Sequence, residues 1–533
     1  MKDEARPWLA MGLLVLLVAL AYAPSLSGDF IGYDDDWLVR DNPVMADGSM
    51  RAPLAILGDF SRETRLVLGA EYLPVRDLVT WVAMRAVGPS APALRAMLLA
   101  LYVAAVLAWR RWLVVSIGAA AEVATLAFAL HPVHAESVAW LAGIKDVLAL
   151  AFTGLALATY AGPLDARRRA MVVVFVALAC FSKGVAVVTP VLLLFTDAWL
   201  GRAPDRIALI ASFVVAGIAA WVHASVGAEV GMYAPFPGGS RVGATLTMAP
   251  VALRYVARVA LFEPASIVYE VPDRGVDDPI AWGAIATLVI AVAAVVAIAR
   301  RGERRPLLLL AFALFALAPV SQVLAPIQHR MADRYLLVAL AAPCIALGLG
   351  IARAGRWRVP LAVLLVSALL VSTAIRAWTL ATPLALWTET TDRAPHSAVG
   401  PYQLGLLVAQ TQPALAERAY EEALARDDMR TDVGRRAAGN LAVLFARSGR
   451  EPRAIALLED VRVRWPHDPV SGNDLAVLLD ARGDHERARA LLLDVIRESP
   501  RYAHARDTYR ARWGEPPVAP PSAPRYDAGE RAY

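Results

Sequence analysis

The chain has 533 residues, of which 58% are hydrophobic and 19% charged, and this composition is too apolar for a soluble protein of that size. The formal net charge of +5 comes from arginines between apolar runs, without a basic stripe rich in aromatic residues, so no nucleic-acid partner is expected. Cys180 and Cys344 both lie in apolar stretches, which excludes a disulfide framework and a cysteine metal site.

The apolar segments predict an all-α membrane domain at residues 1–380. A bilayer core needs about 20 apolar residues per helix, and about eleven such windows occur. The first resembles a secretory signal, but Pro24 follows it and argues against cleavage, so we interpret it as a transmembrane helix. The windows lie near residues 8–23, 92–109, 113–130, 138–160, 170–182, 184–200, 207–225, 281–299, 306–326, 334–352 and 359–377.

Five arginine clusters predict the direction in which these windows cross the membrane, because positive charge in short loops stays cytoplasmic. With the windows above, all five clusters fall on one side of the membrane. The N-terminus is then cytoplasmic, and the loop 24–91, the segment 226–280 and the C-terminus are extracytoplasmic. The clusters are Arg110–Arg111, Arg167–Arg169, Arg202 with Arg206, Arg300–Arg305 and Arg353–Arg358.

One apolar stretch, 247–262, is not counted as a span. Arg254 and Arg258 lie four residues apart in it and therefore share a helical face. We interpret the stretch as an amphipathic helix on the outer surface, with a re-entrant segment as the alternative.

After residue 380 the sequence becomes charged and rich in alanine and leucine, with helical periodicity. Leu441 and Leu475 are 34 residues apart, as are Pro466 and Pro500, and this period is typical of the tetratricopeptide repeat. The pattern predicts a tetratricopeptide-repeat α-solenoid at 381–515, whose more degenerate first copy covers 402–428. The proline-rich tail at 516–533 is predicted to be disordered.

Three adjacent carboxylates, Asp34, Asp35 and Asp36, open the first outer loop. Mutual repulsion and partial burial raise the pKa of at least one of them, which suits a general base. A solvated acidic loop is the alternative. The aromatic residues Phe30 and Trp37 beside the run favour the first interpretation.

A second polar group lies between the third and fourth windows. His131, His134 and Glu136 are expected to bind sugar hydroxyls or phosphate rather than a metal. Lys145 and Asp146 follow within the fourth window, where charge must face the protein interior. A purely structural ion pair is the alternative for these two.

A third polar group is cationic and extracytoplasmic, where positive charge requires a reason. A departing lipid phosphate supplies one, since arginine binds phosphate through two nitrogens. Interfacial snorkelling is the alternative. The members are Lys183, His329, Arg330, Asp333, Arg334 and Tyr335.

Several short motifs occur together in one order, and they resemble the transmembrane-and-tetratricopeptide-repeat (TMTC) family of GT-C glycosyltransferases and its bacterial relatives. The most specific is the string from His131 to Trp140 with Lys145–Asp146 after it. The resemblance covers nearly the whole chain. The other motifs are Tyr33–Asp35, Asp41–Pro43, Tyr72–Arg76, Ser182–Lys183 and Ala332–Tyr335.

The resemblance implies a GT-C-like bundle that transfers a sugar from a polyprenyl-phosphate donor with inversion at the anomeric carbon, as protein O-mannosyltransferases do. It implies Asp34 or Asp35 as the catalytic base. It implies no cofactor, and a divalent metal is not expected. The chain departs from the family at Asp36, Leu73 and Gly184, which puts details of donor and acceptor in doubt.

The leading hypothesis is therefore a membrane glycosyltransferase that moves a hexose such as mannose to a protein or envelope hydroxyl. The expected location is a bacterial inner membrane, with the repeats in the periplasm as the surface for a protein or peptide acceptor. A non-catalytic scaffold for envelope proteins is the alternative. A polysaccharide ligase or a transporter is a third possibility, although polar residues in mid-membrane are few.

Overall fold

The computed structural model of the protein describes residues 5–261 and 265–517. These residues form helices and no strand, in agreement with the all-α class. They divide into two compact units, Met1–Thr382 and Pro383–Tyr533. Most of the tail predicted to be disordered, from residue 518 onward, lies outside the described residues.

The first unit consists of α-helices joined by short 3-10 turns. In its described part the helices are α1 (Ala5–Tyr22), α2 (Pro43–Ala46), α3 (Arg51–Gly58), α4 (Arg62–Val67), α5 (Pro74–Val87), α6 (Ala91–Ile117), α7 (Ala121–Ala129), α8 (Ala135–Ala139), α9 (Ile144–Tyr160), α10 (Ala166–Ser182), α11 (Thr189–Leu200), α12 (Arg206–Val230), α13 (Arg241–Ala260), α14 (Pro279–Arg300), α15 (Arg305–Leu317), α16 (Ala341–Ala352) and α17 (Arg358–Ala381).

Six helical segments in the described residues are long and apolar enough to cross a membrane. Shorter apolar helices cover Gly184–Leu200, Arg305–Val320 and Ala341–Ala352, where further spans were predicted. Only 11% of the most apolar window is buried in α14, and the same holds for α17, so both helices expose apolar side chains. The six long segments are Trp8–Ser25, Ala91–Ala129, Leu141–Tyr160, Arg206–Val230, Pro279–Arg300 and Gly355–Ala381.

The predicted boundary between the second and third windows is wrong. Helix α6 continues through Arg110 and Arg111, and the chain turns only at Gly118, which has a φ of +57°. The Arg110 guanidinium pairs with Glu122 of α7. A long arginine side chain reaches such a partner from within a helix, so these residues do not end α6.

The segment between α1 and α6, predicted as the first outer loop, folds into four short helices, α2 to α5, around buried polar contacts. Asn42 caps α2: its side-chain oxygen accepts from Val44 N (3.0 Å) and Met45 N (3.2 Å). Its amide nitrogen donates to Val67 O at the end of α4, over 2.8 Å. Arg65 is fully buried and donates to Ala55 O of α3 over 2.8 Å. The loop between α1 and α6 is therefore a packed structure.

Helix α13 contains the predicted amphipathic stretch, but its arginines do not lie on an exposed face. Arg258 is 2% exposed and holds the buried carboxylate of Asp333 through three contacts of 2.8 to 3.2 Å. The guanidinium of Arg254 lies 5.5 Å from the ring centroid of Tyr269. This arginine face packs against protein because Asp333 supplies a buried counter-charge, and the position of the stretch on the outer surface stays a prediction.

The second unit is a series of helices of similar length, each packed on the next. Helices α19, α21, α23 and α25 also contact one another in order. The side chains of the whole unit share a core that includes Tyr420, Leu441, Leu475 and Leu492. The helices are α18 (Pro383–Arg393), α19 (Val399–Val408), α20 (Pro413–Asp427), α21 (Asp432–Arg447), α22 (Glu451–Arg464), α23 (Pro469–Ala481), α24 (His485–Glu498) and α25 (Ala503–Trp513).

The helix boundaries of this unit follow its glycines and prolines. Gly449 lies between α21 and α22 with a φ of +73°, and Gly483 lies between α23 and α24 with a φ of +92°. Both need the left-handed conformation that glycine adopts without strain. Pro466 and Pro500 follow the ends of α22 and α24, since proline cannot continue a helix.

Candidate active site

The three adjacent carboxylates of the outer loop have three different surroundings. Asp34 is half-buried and accepts from Trp37 Nε1 over 3.2 Å. Asp35 is fully buried and accepts from the backbone N–H of Ala142 over 3.1 Å. Asp36 turns outward and pairs with Arg40 at 3.1 Å. Asp35 therefore fixes the loop against the turn before α9, and Asp34 is left at the inner face of the loop.

The backbone enters this run through a strained turn. Gly32 has a φ of +75°, and Tyr33, directly before Asp34, has a φ of +56°. A second such turn precedes Glu71, where Gly69 and Ala70 have φ values of +84° and +59°. Residues other than glycine rarely adopt this conformation, and they cluster at functional sites when they do.

The environment of the loop alters the acidity of two of these carboxyls. Burial raises the pKa of Asp34, and the nearby cations Lys145 and Arg334 counteract this effect only in part. Burial also raises the pKa of Asp35, to about 7, although Arg95 and two backbone N–H groups lower it. Asp34 is thus a carboxyl of raised pKa that interacts with two cations, which suits a general base.

A fourth carboxylate, Glu71, belongs to the same cluster and is missing from the sequence prediction. Its Oε2 accepts from Lys145 Nζ over 2.6 Å and lies 3.4 Å from the guanidinium of Arg76. Burial raises its pKa, but the two cations outweigh burial, and the resulting pKa is about 2. Its only signal in the sequence is its place directly before the Tyr72–Arg76 motif.

The sequence predicts Lys145 and Asp146 well inside the fourth membrane helix, but the structure places them at a helix start. They occupy the first turn of α9, because the 3-10 turn Leu141–Gly143 precedes Ile144. The two do not pair with each other. Lys145 pairs with Glu71, and Asp146 accepts from the ammonium of Lys183, which follows α10.

Glu136 and Arg334 form a buried pair at the centre of the cluster. The guanidinium of Arg334 donates to Glu136, and so does the backbone N–H of Arg334, over 3.1 Å. The guanidinium also lies 5.6 Å from the ring centroid of Trp140 and 5.5 Å from that of Tyr335. The ring of Tyr33 lies 6.1 Å from that of Trp140. Aromatic contacts therefore join Arg334 to the loop that carries Asp34.

The two predicted histidines are bonded to other parts of the protein. His134 is fully buried, with Nδ1 2.6 Å from Tyr102 Oη and Nε2 3.3 Å from Leu337 O. His131 Nε2 lies 3.2 Å from Val259 O. Burial lowers the pKa of His131 to about 4 and that of His134 to about 3. These contacts favour a structural role over the predicted binding of sugar or phosphate.

Two further predicted residues lie against α13 and the segment after it. Asp333 holds Arg258 and accepts from Tyr269 Oη over 2.7 Å. Arg330 pairs with Asp273 at 2.8 Å and donates to Val271 O over 2.7 Å. The predicted donor-binding group thus separates into Lys183, Arg334 and Tyr335 on one side, Arg330 and Asp333 on the other, and His329, whose backbone oxygen accepts from Tyr335 Oη over 3.1 Å.

A small cavity of about 40 Å³ lies between α9, α11, the end of α15 and the turns that precede α11 and α16. Its polar lining includes Asp146, Lys183, Arg334 and Tyr335. Most of the remaining lining is apolar, and includes Leu150, Val185, Leu192, Val320, Leu337 and Val338. A cavity of this volume holds about three water molecules.

No group of three or more His, Cys, Asp or Glu side chains among the described residues could hold a metal ion. No protein-family model and no curated protein matches the chain. The functional argument therefore depends on the geometry of the cluster.

Proposed function

We propose that the chain is a membrane glycosyltransferase of the GT-C type that transfers a sugar, such as mannose, from a polyprenyl-phosphate donor to a protein or envelope hydroxyl. The observation that carries the proposal is the convergence of Asp34 with Lys145 and Arg334, a carboxyl of raised pKa beside two cations. A base for the acceptor hydroxyl and cations for the leaving phosphate are two parts that this reaction needs.

The proposed reaction is a single inverting displacement. Asp34 accepts the proton of the acceptor hydroxyl while the hydroxyl oxygen forms a bond to the anomeric carbon. The bond from that carbon to the phosphate oxygen breaks, and the polyprenyl phosphate leaves with the electron pair. Lys183 and Arg334 stabilise the developing charge on the leaving phosphate.

The proposed topology uses the six long segments, with Ala91–Ala129 as two spans, the three shorter apolar helices and α10 together as about eleven spans. The N-terminus is then cytoplasmic, and the outer loop and the second unit are periplasmic in a bacterial inner membrane. We assign the second unit to a tetratricopeptide-repeat solenoid that presents the acceptor. The 34-residue offset between Gly449 and Gly483, each between paired helices, supports that assignment.

A non-catalytic scaffold explains the second unit but gives no reason for the polar cluster of the first. Glu136 and Asp146 are 2% and 4% exposed, and burying such charges is costly in free energy. A scaffold without a ligand gains nothing that would offset the free energy of burying these charges. The cluster therefore favours the enzyme.

The test replaces the proposed base. Deletion of the gene should remove a hexose from envelope glycoproteins, as seen by mass spectrometry, and the wild-type chain should restore it. Asp34→Asn should insert normally and restore less than about one hundredth of the modification, given the usual contribution of a general base. Asp41→Asn, an exposed carboxylate of the same loop, is the matched control. Full restoration by Asp34→Asn would refute the proposal.

A further inference from the structure

Helix α3, in the segment between α1 and α6, exposes an apolar face. Met50, directly before the helix, is 68% exposed, and Leu54 and Leu57 are 63% and 48% exposed. These positions are four and three residues apart, so the three side chains lie on one face. The opposite face, with Ala55 and Ile56, is buried. A contiguous exposed apolar face of this kind indicates an interaction surface.

The buried cation Arg65 holds α3 in place. Its guanidinium donates to Ala55 O over 2.8 Å and to Ile56 O over 3.3 Å, two carbonyls near the C-terminal end of α3, where a cation stabilises a helix. The guanidinium also lies 5.7 Å from the ring centroid of Phe60 and 5.2 Å from that of Tyr72. Phe60 itself is exposed, so a further large apolar side chain reaches the surface just past α3.

Ring contacts connect this end of α3 to the ends of two long helices. Phe60 stacks on Tyr72 with the ring centroids 4.9 Å apart, and Tyr72 meets Phe181, in the last turn of α10, at 6.0 Å. Phe181 lies 6.1 Å from the ring of His223, in the last third of α12. Helix α12 is long and apolar enough to cross a membrane. A boundary between lipid and water therefore lies close to the end of α3.

We infer that α3 lies in the surface of the membrane, with Met50, Leu54 and Leu57 inserted among the lipids of the leaflet on that side. The chain keeps α3 near the bilayer, because the long apolar helices α1 and α6 precede and follow the segment. Arg51 and Arg62 are exposed near the two ends of α3, where arginine side chains meet lipid phosphates. This inference does not depend on the proposed function.

A lipid leaflet fits this face better than a second protein does. The four exposed side chains, those of Met50, Leu54, Leu57 and Phe60, supply only a small part of the roughly 800 Å² that each partner buries in a stable protein interface. Insertion into lipid needs no such area, since each apolar side chain contributes by itself. The anchor would also fix the height above the bilayer of the segment that carries Asp34.

Nitroxide labels test the inference on the full-length protein in vesicles of phosphatidylethanolamine and phosphatidylglycerol. The native Cys180 and Cys344 are buried, so a label attaches to an introduced cysteine. In Leu54→Cys and Leu57→Cys the label should collide with oxygen, which dissolves in lipid, more often than with a water-soluble nickel chelate. The two collision rates should correspond to a depth of about 5–10 Å below the lipid phosphates.

Val463→Cys is the matched control, because Val463 is an apolar side chain that is 78% exposed on α22 of the second unit. Its label should collide mainly with the nickel chelate. Ile290→Cys, at a 69% exposed position of α14, is the reference for lipid, and its label should collide mainly with oxygen.

Two outcomes would overturn the inference. If the labels at Leu54 and Leu57 behave like the label at Val463, α3 faces water. If they are shielded from both reagents, or if their spectra broaden through contact between two labels, another protein or a second copy of the chain covers the face. Neither outcome bears on the proposed function, which Asp34→Asn tests separately.

Discussion

Arg334 is bonded to Glu136 through both its guanidinium and its backbone N–H. The double contact fixes the 3-10 turn Asp333–Leu336 against α8, on the side where Arg334 also meets Trp140. The position of this cation thus depends on one carboxylate.

Replacing that carboxylate should destabilise the first unit. Glu136→Gln keeps the shape but leaves the Arg334 guanidinium, 12% exposed, without a charged partner. We expect a loss of about 3 kcal/mol, typical of a broken buried pair, measured as a lower thermal unfolding midpoint in detergent. Glu122→Gln, at a pair whose carboxylate is 42% exposed, should cost less than about 1 kcal/mol. Equal effects would contradict this view of the pair.

Asp35 should make stability depend on pH. Its folded pKa of about 7 lies above the value of about 4 in an unfolded chain, so between these values the folded state binds more protons. Its contribution to stability is therefore present below about pH 4 and is lost as the pH rises to 7. Over this window the unfolding free energy of Asp35→Asn should vary less with pH than that of the wild type. Parallel plots of unfolding free energy against pH for the two proteins would argue against a buried acid.

Glu71 should act in the opposite direction. Its pKa of about 2 lies below the unfolded value, so its contribution is complete above about pH 4.5 and is lost as the pH falls towards 2. Glu71→Gln should be less stable than the wild type at pH 7, and this difference should shrink in acid. A difference that is constant with pH would exclude the ionic role of Glu71.

Gly28 should tolerate no side chain. A Cβ there would overlap the guanidinium of Arg95 and the carbonyl of Ala381. Because Arg95 also binds Asp29 O at 2.6 Å, Gly28→Ala should displace the start of the outer loop and lower sugar transfer at least tenfold, with helix content by circular dichroism unchanged. Gly12→Ala in α1, where nothing lies within 4 Å, should be active. Equal activity of the two variants would show that the loop entry is not positioned by this contact.

Long apolar runs are well predicted from the sequence because each carries its own signal. Windows 207–225 and 281–299 correspond to α12 and α14 within a few residues. The Arg110 boundary fails because a charged residue near a helix end has a partner, Glu122, that no window reveals.

For the candidate site too, local motifs are predictable from the sequence, whereas tertiary partners are not. Asp34 and Arg334 are found from local motifs, and they do lie in one cluster. The partners of the cations depend on tertiary packing: Glu71 reaches Lys145 across 74 positions, and Asp333 reaches Arg258 across 75. A sequence pattern of charges does not show which carboxylate each cation meets in the fold.

Tyr33 and Ala70 hold the left-handed backbone directly before the two carboxylates, Asp34 and Glu71, that lie near Lys145. This geometry exists in the folded chain before any ligand is bound. In the proposed reaction, an incoming substrate would therefore meet oxygens that are already in place, and association would cost less conformational entropy than if the loop had to order around it.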